Sequence, residues 1–212
     1  LGSIGVGAAD PETAREMIRA VRARTDRPFN VNVFCHAPAV PNPERESAWV
    51  ARLAPEFARY GATLPGRLRE IYTSFMTDAA MQSVLLTEKP PVISFHFGLP
   101  EAALLARIKA AGAKVLASAT TVDEARWLEE RGVDAIIAQG LEAGGHRGHF
   151  LSDDLTLQSG TFALLPQIVR AVRTPVVAAG GIADAAGTRA AVALGAALVQ
   201  VGTAYLRCPE AT

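Results

Sequence analysis

The residues best suited to chemistry crowd into the stretch GLEAGGHRG, positions 140–148, which holds a carboxylate, an imidazole, a guanidinium and four glycines. His146 can serve there as a base, a hydrogen-bond donor or a metal ligand. Glu142, His146 and His149 are spaced Glu-x3-His-x2-His. A glycine-rich loop does not hold that spacing on one face as a helix would, so no metal site is expected. Gly144 and Gly145 remove two side chains just before the imidazole and let backbone approach a bound group. Glu142 and Arg147 read as scaffold, paired with one another or facing solvent.

Further glycine-rich steps follow. In AAGGI, Gly180 and Gly181 precede a helix expected from Asp184, where free N–H groups and the helix dipole can cradle a phosphate. In QVGTA, Gln200, Val201, Gly202 and Thr203 sit at the next strand end. Either step alone is equally a tight turn; together, at consecutive strand ends, they read as a phosphate site. Asn32 and Gln139 are amides inside apolar strands, and a buried amide without partners costs roughly 1–3 kcal/mol. Neighbouring backbone would satisfy them, and so would a flat heterocycle with alternating donors and acceptors, such as a flavin. His96, in SFHFG, is either a satisfied core histidine or a second working imidazole. Ser118 ends a strand beside it, and Cys35 reads as a packing residue.

Something must bring these positions together. Apolar runs at 1–7, 29–34, 92–97, 114–120, 134–140, 175–182 and 197–206 read as strands. Helical segments lie between them. Asp10-Pro11 opens the first, with Asp as N-cap and Pro at the first helical position. Thr121 to Glu124 forms a capping box. Residues 43–87 carry helical periodicity and read as an insertion of two or three helices. The helix at 162–172 contains Pro166, in its first turn or splitting it. Strands apolar throughout are buried on both faces, which indicates a parallel sheet clothed in helices. A doubly wound sheet and a (β/α)8 barrel both satisfy that pattern. A barrel needs eight strands and seven are read, a deficit that a missing first strand explains; the glycines ending the last two strands favour the barrel, a single domain over 1–212, because barrels often bind phosphate with the loops after strands seven and eight. The strand C-termini would then share one face, carrying amides, hydroxyls, imidazoles and glycine N–H groups but no carboxylate cluster.

The 212 residues are half hydrophobic and carry no net charge, which argues against a nucleic-acid partner. No apolar run is long enough to span a membrane, and no signal peptide is seen. Cys35 and Cys208 follow no metal spacing and read as reduced thiols of a cytoplasmic protein, a disulfide pair being the alternative. Both chain ends look cut.

AQGLEAGGHRG, PVVAAGGIAD and VQVGTAYL, in that order, resemble the nitronate monooxygenase family, formerly 2-nitropropane dioxygenases; PFNVNVF and PPVISFHFGLP strengthen the likeness, which spans essentially the whole chain. The resemblance implies a (β/α)8 TIM barrel with non-covalent FMN, oxidising alkyl nitronates such as propionate 3-nitronate, or nitroalkanes, with O2. It implies that Asn32, Ser118, Gln139, Gly144, Gly145, Gly180, Gly181 and Gln200 to Thr203, Val201 included, contact FMN. His146 would be the base toward neutral nitroalkanes, and His96 would help hold the anionic substrate. Members also carry a first strand and a C-terminal segment with active-site aromatics and a lysine, both expected to be missing here. The implied partners are the substrate and O2, with a homodimer as the assembly to test. Competing readings are an FMN-dependent NAD(P)H:quinone or enoyl-thioester reductase, a sugar-phosphate aldolase or isomerase, and a non-catalytic binding protein. The aldolase needs a strand-end lysine, whereas Lys114 begins its strand.

Overall fold

The computed structural model describes residues 1–211. In chain order these form β1 (Gly2–Gly5), α1 (Pro11–Arg22), β2 (Phe29–Phe34), α2 (Pro43–Arg59), α3 (Ala79–Glu88), β3 (Val92–His96), α4 (Ala102–Ala110), β4 (Lys114–Ala119), α5 (Val122–Glu130), β5 (Ala135–Gln139), α6 (Thr161–Ala171), β6 (Val176–Ala179), α7 (Ala185–Ala193) and β7 (Leu198–Gln200), with 3-10 turns at Leu155–Leu157 and Thr203–Arg207. Every strand pairs in parallel with its neighbours in the chain, in the order β1 to β7. A doubly wound sheet reverses that order at a switch point; a sheet that advances in one direction curls as a (β/α) barrel does. Among the described residues β1 and β7 do not pair with each other, so the sheet is a curled half-barrel.

The pleat separates two apolar layers. Val31, Val33, Ile93, Phe95, Val115, Ala117, Ile136 and Ala178 face outward and pack with helical residues such as Ile18, Leu105, Leu128 and Leu165. Ile137, Val177 and Ala179, with Leu116 and Ala135, form a separate cluster on the inner face. The period of two that makes strands apolar throughout also decides which polar residues turn inward. Asn30, Asn32 and Phe34 alternate on β2, level with Ser94 and His96 on β3.

Helix starts follow local chemistry. The Asp10 carboxylate accepts from the N–H groups of Glu12 and Thr13, both at 3.0 Å. At α5 only half of the expected capping box forms. Thr121 Oγ1 accepts from the Glu124 N–H at 3.2 Å, but the Glu124 carboxylate turns away to Thr120 and to a loop 26 residues on. Pro166 lies inside α6 without splitting it. Of the segment 43–87, the two ends are helical and residues 60–78 are not, although Leu64, Leu68 and Ile71 keep helical spacing. Gly61, Pro65 and Gly66 interrupt it there. The last strand is much shorter than the predicted 197–206, because the chain turns into 3-10 geometry at Thr203. At the far end of the barrel, Glu88 is buried and accepts from three arginines of α1: Arg15 at 3.3 Å, Arg19 at 2.8 Å and Arg22 at 2.9 Å. Both cysteines are free, Cys35 buried and Cys208 exposed.

Candidate active site

The strand C-termini and their loops enclose a cavity of about 810 Å³. His146, His96, Asn32, Ser118, Gln139, Gly144, Gly145, Gly180, Gly181, Gln200, Gly202 and Thr203 all line it. Val201 does not; its side chain packs against the outer core, as its odd position on the pleat dictates. Sequence reasoning missed Ser3 and Ser94 as lining residues. Their signal was the alternation with Asn30 and Asn32, which becomes readable only once the strand register is known.

A polar network floors the cavity. Asn30 Nδ2 donates to Ser3 Oγ and Ser94 Oγ, both at 2.8 Å, and Asn32 Nδ2 donates to Ser94 Oγ at 2.8 Å. The buried Asn30 Oδ1 has no protein partner among the described residues. Two amide donors fall on one hydroxyl while one acceptor is left over, so this floor has spare hydrogen-bonding capacity.

His96 and Gln139 serve the loop. His96 lies 3.0 Å from the His146 carbonyl through Nε2 and 2.9 Å from Ser118 Oγ through Nδ1. A carbonyl only accepts, so Nε2 carries the proton, and Nδ1 accepts a hydrogen bond from the Ser118 hydroxyl. Burial holds the imidazole below its ordinary range, and the carbonyl bond opposes this only in part. His96 is therefore neutral, with both nitrogens engaged. Gln139 donates from Nε2 to the same His146 carbonyl at 2.9 Å and accepts from the Gly148 N–H at 2.7 Å. The tightness is visible at Gly148, where an added Cβ would fall 2.5 Å from the His96 ring.

The ring of His146 is exposed, and among the described residues its nitrogens make no hydrogen bond to protein. Phe34, Tyr72 and Phe97 wall it, with centroids at 5.2, 5.8 and 5.9 Å. Phe97 adopts φ +68°, an uncommon conformation for a bulky residue, and presents its ring to both histidines.

Glu142 and Arg147 brace the loop, neither pairing with the other nor merely facing water, and Glu142 also lines the cavity. Glu142 Oε2 accepts from Thr161 N at 2.7 Å and Thr161 Oγ1 at 3.0 Å. Arg147 donates to Gln158 Oε1 at 2.9 and 2.7 Å and to the Gly140 carbonyl. A tight loop exposes its own backbone groups within reach of these side chains. Opposite the loop, Gly180 and Gly181 take φ +109° and +66°, and a Cβ on Gly180 would meet Thr161 Oγ1 at 2.9 Å. The N–H groups of Gly144, Gly145, Gly181, Gly202 and Thr203 donate to no protein acceptor among the described residues. Free N–H donors on three converging loops suit a phosphate. Spare capacity in the floor suits a polar heterocycle.

The sequence profile of nitronate monooxygenases matches residues 1–212. A nitronate monooxygenase of Paraburkholderia phytofirmans is 55% identical over 210 residues, 99% of this chain and 57% of the relative. The chain belongs to the nitronate monooxygenase family. Another family member, from Pseudomonas aeruginosa, is 48% identical, matching 100% of this chain and 60% of its own length. The chain thus spans less than two thirds of these relatives. Among solved structures, nitroalkane oxidase from Streptomyces ansochromogenes superposes with a TM-score of 0.87 at 39% identity, over 97% of this chain and 58% of that one. FabK from Thermotoga maritima superposes less well, at TM-score 0.68 and 33% identity, over 97% of this chain and 51% of that one.

Proposed function

We propose that this chain is the FMN-binding barrel of an enzyme that oxidises alkyl nitronates, propionate 3-nitronate among them, or nitroalkanes, with O2. The observation that carries the reading is a single free imidazole, fixed through its own carbonyl and presented beside unpaired N–H donors. Gly144, Gly145, Gly180, Gly181, Gly202 and Thr203 would hold the FMN phosphate. Asn32, Ser118, Gln139 and Gln200 would border its ring. When bound, FMN supplies the electron acceptor and the reactivity toward O2. The residues do the rest. A nitronate is already a carbanion equivalent, so it needs an anion-tolerant pocket and little acid–base power. A neutral nitroalkane must lose its α proton, and an imidazole nitrogen of His146 takes it. His96, neutral and doubly bonded, holds His146 in place, and it reaches substrate only by releasing the His146 carbonyl. The aromatic wall packs beside the imidazole and accepts the alkyl part of the substrate. The likeness to named nitronate monooxygenases and to nitroalkane oxidase supports this choice over a reductase. A cytoplasmic homodimer is the proposed setting; the free thiols support the compartment.

The test is a purified protein spanning the length of its relatives. It should carry flavin, take up oxygen with a nitronate and lose roughly a hundredfold in rate on a neutral nitroalkane in H146N, with a smaller loss on the preformed nitronate. Equal losses on both substrates would remove the base. NADPH oxidation with a quinone and no oxygen uptake with a nitronate would replace the reading with a reductase. A colourless protein that binds no added FMN would end both.

A further inference from the structure

Two carboxylates brace the loop from Gly140 to Thr161. Glu142 holds Thr161 at one foot. Its middle, at Phe150 and Leu151, is held from outside the cavity by Glu124, on α5. Its side chain is fully buried. One oxygen accepts from Thr120 N at 2.6 Å and Thr120 Oγ1 at 2.8 Å, the other from Phe150 N at 2.6 Å and Leu151 N at 3.3 Å. Four donors converge on it, three of them backbone N–H groups. Trp127, one turn further along α5, stacks edge-on against the Phe150 ring at 5.0 Å. Phe150 in turn fills the space over Gly98, just after His96. A buried charge is kept only where its donors are fixed. Here those donors tie the end of β4 to the segment four residues beyond His146, and Glu124 itself does not line the cavity.

We propose that Glu124 is a positioning residue for His146, fastening the middle of the active-site loop to α5 so that the imidazole keeps its place over the cavity. This rests on the reading of His146 as the base. Glutamine at 124 would turn an amide N–H2 toward two of the N–H or O–H donors, so one end of the tie must break.

Two measurements test it. In Glu124→Gln without flavin, hydrogen exchange at the Phe150 and Leu151 amides should quicken about tenfold, the cost of a lost charge-assisted bond. Unchanged protection overturns the proposal. In the flavin-loaded protein of full length, E124Q should lower kcat on a neutral nitroalkane about tenfold, with less change in KM and a displaced pH profile. Glu88→Gln is the control: it removes a buried carboxylate at the opposite end of the barrel and should leave kcat and the pH profile alone. If E124Q and E88Q behave alike in these assays, Glu124 is merely structural and the proposal fails. If H146N keeps full activity on neutral nitroalkanes, the base reading falls and takes the catalytic half of this proposal with it; the exchange experiment still decides whether the tie exists.

Discussion

At the scale of single residues, the site relies on positions where side chains are absent. Gly181 at φ +66° has Glu142 Cβ within 3.0 Å of any added Cβ. Gly181→Ala should destabilise the protein by about 1–3 kcal/mol and weaken FMN binding, measurable by denaturant unfolding and flavin titration. Unaltered binding would mean the glycine serves the turn alone. Most of these positions could be read from residue type: glycine pairs at strand ends and amides in apolar runs announce themselves. Their partners could not. Gln139 looked available to a heterocycle, yet both ends of its amide serve the His146–Gly148 backbone. Which partner an amide takes depends on loop geometry, which no residue type encodes.

At the scale of elements, α1 and α3 are clasped through Glu88. Burial pushes its carboxyl up, but hydrogen bonds and charge from Arg19, with Arg15 and Arg22, outweigh this and hold it below the usual range. A depressed value means that its stabilisation is complete above the unfolded-state value near about 4.3 and is lost as pH falls through the folded one. E88Q should therefore cost about 1–3 kcal/mol near neutrality, and the gap from wild type should close as acid protonates the carboxyl. A gap independent of pH would show that shape, not charge, matters there. The elements themselves were largely legible, because apolar runs and caps are local signals. The errors fell where local signals conflict. Residues 60–78 keep helical spacing but contain Gly61, Pro65 and Gly66. QVGTAYL alternates like a strand but folds into a 3-10 turn after Gln200.

For the whole molecule, the one-directional strand order gathers every strand C-terminus on one rim, so residues far apart in sequence share the 810 Å³ cavity. Sequence supplied the strand count and direction; the inward or outward sense of Ser3, Ser94 and Val201 needed the register. If the free N–H groups are a phosphate cradle, FMN at 100 times its Kd should stabilise the fold by about 2.7 kcal/mol. Riboflavin at the same concentration should do much less. Equal thermal shifts would move the recognition from the phosphate to the ring.

The two thiols have unlike fates. Cys35 is sealed in the core, and burial pushes its thiol far above the ordinary range, so it stays protonated and slow toward electrophiles. Cys208 is exposed, directly after Arg207, which lines the cavity. A maleimide dye should attach at one position without any mutation, and mass spectrometry should find Cys208 modified and Cys35 spared. The fold thereby comes with a built-in attachment point for a fluorophore at the rim, from which ligand entry can be followed by emission alone.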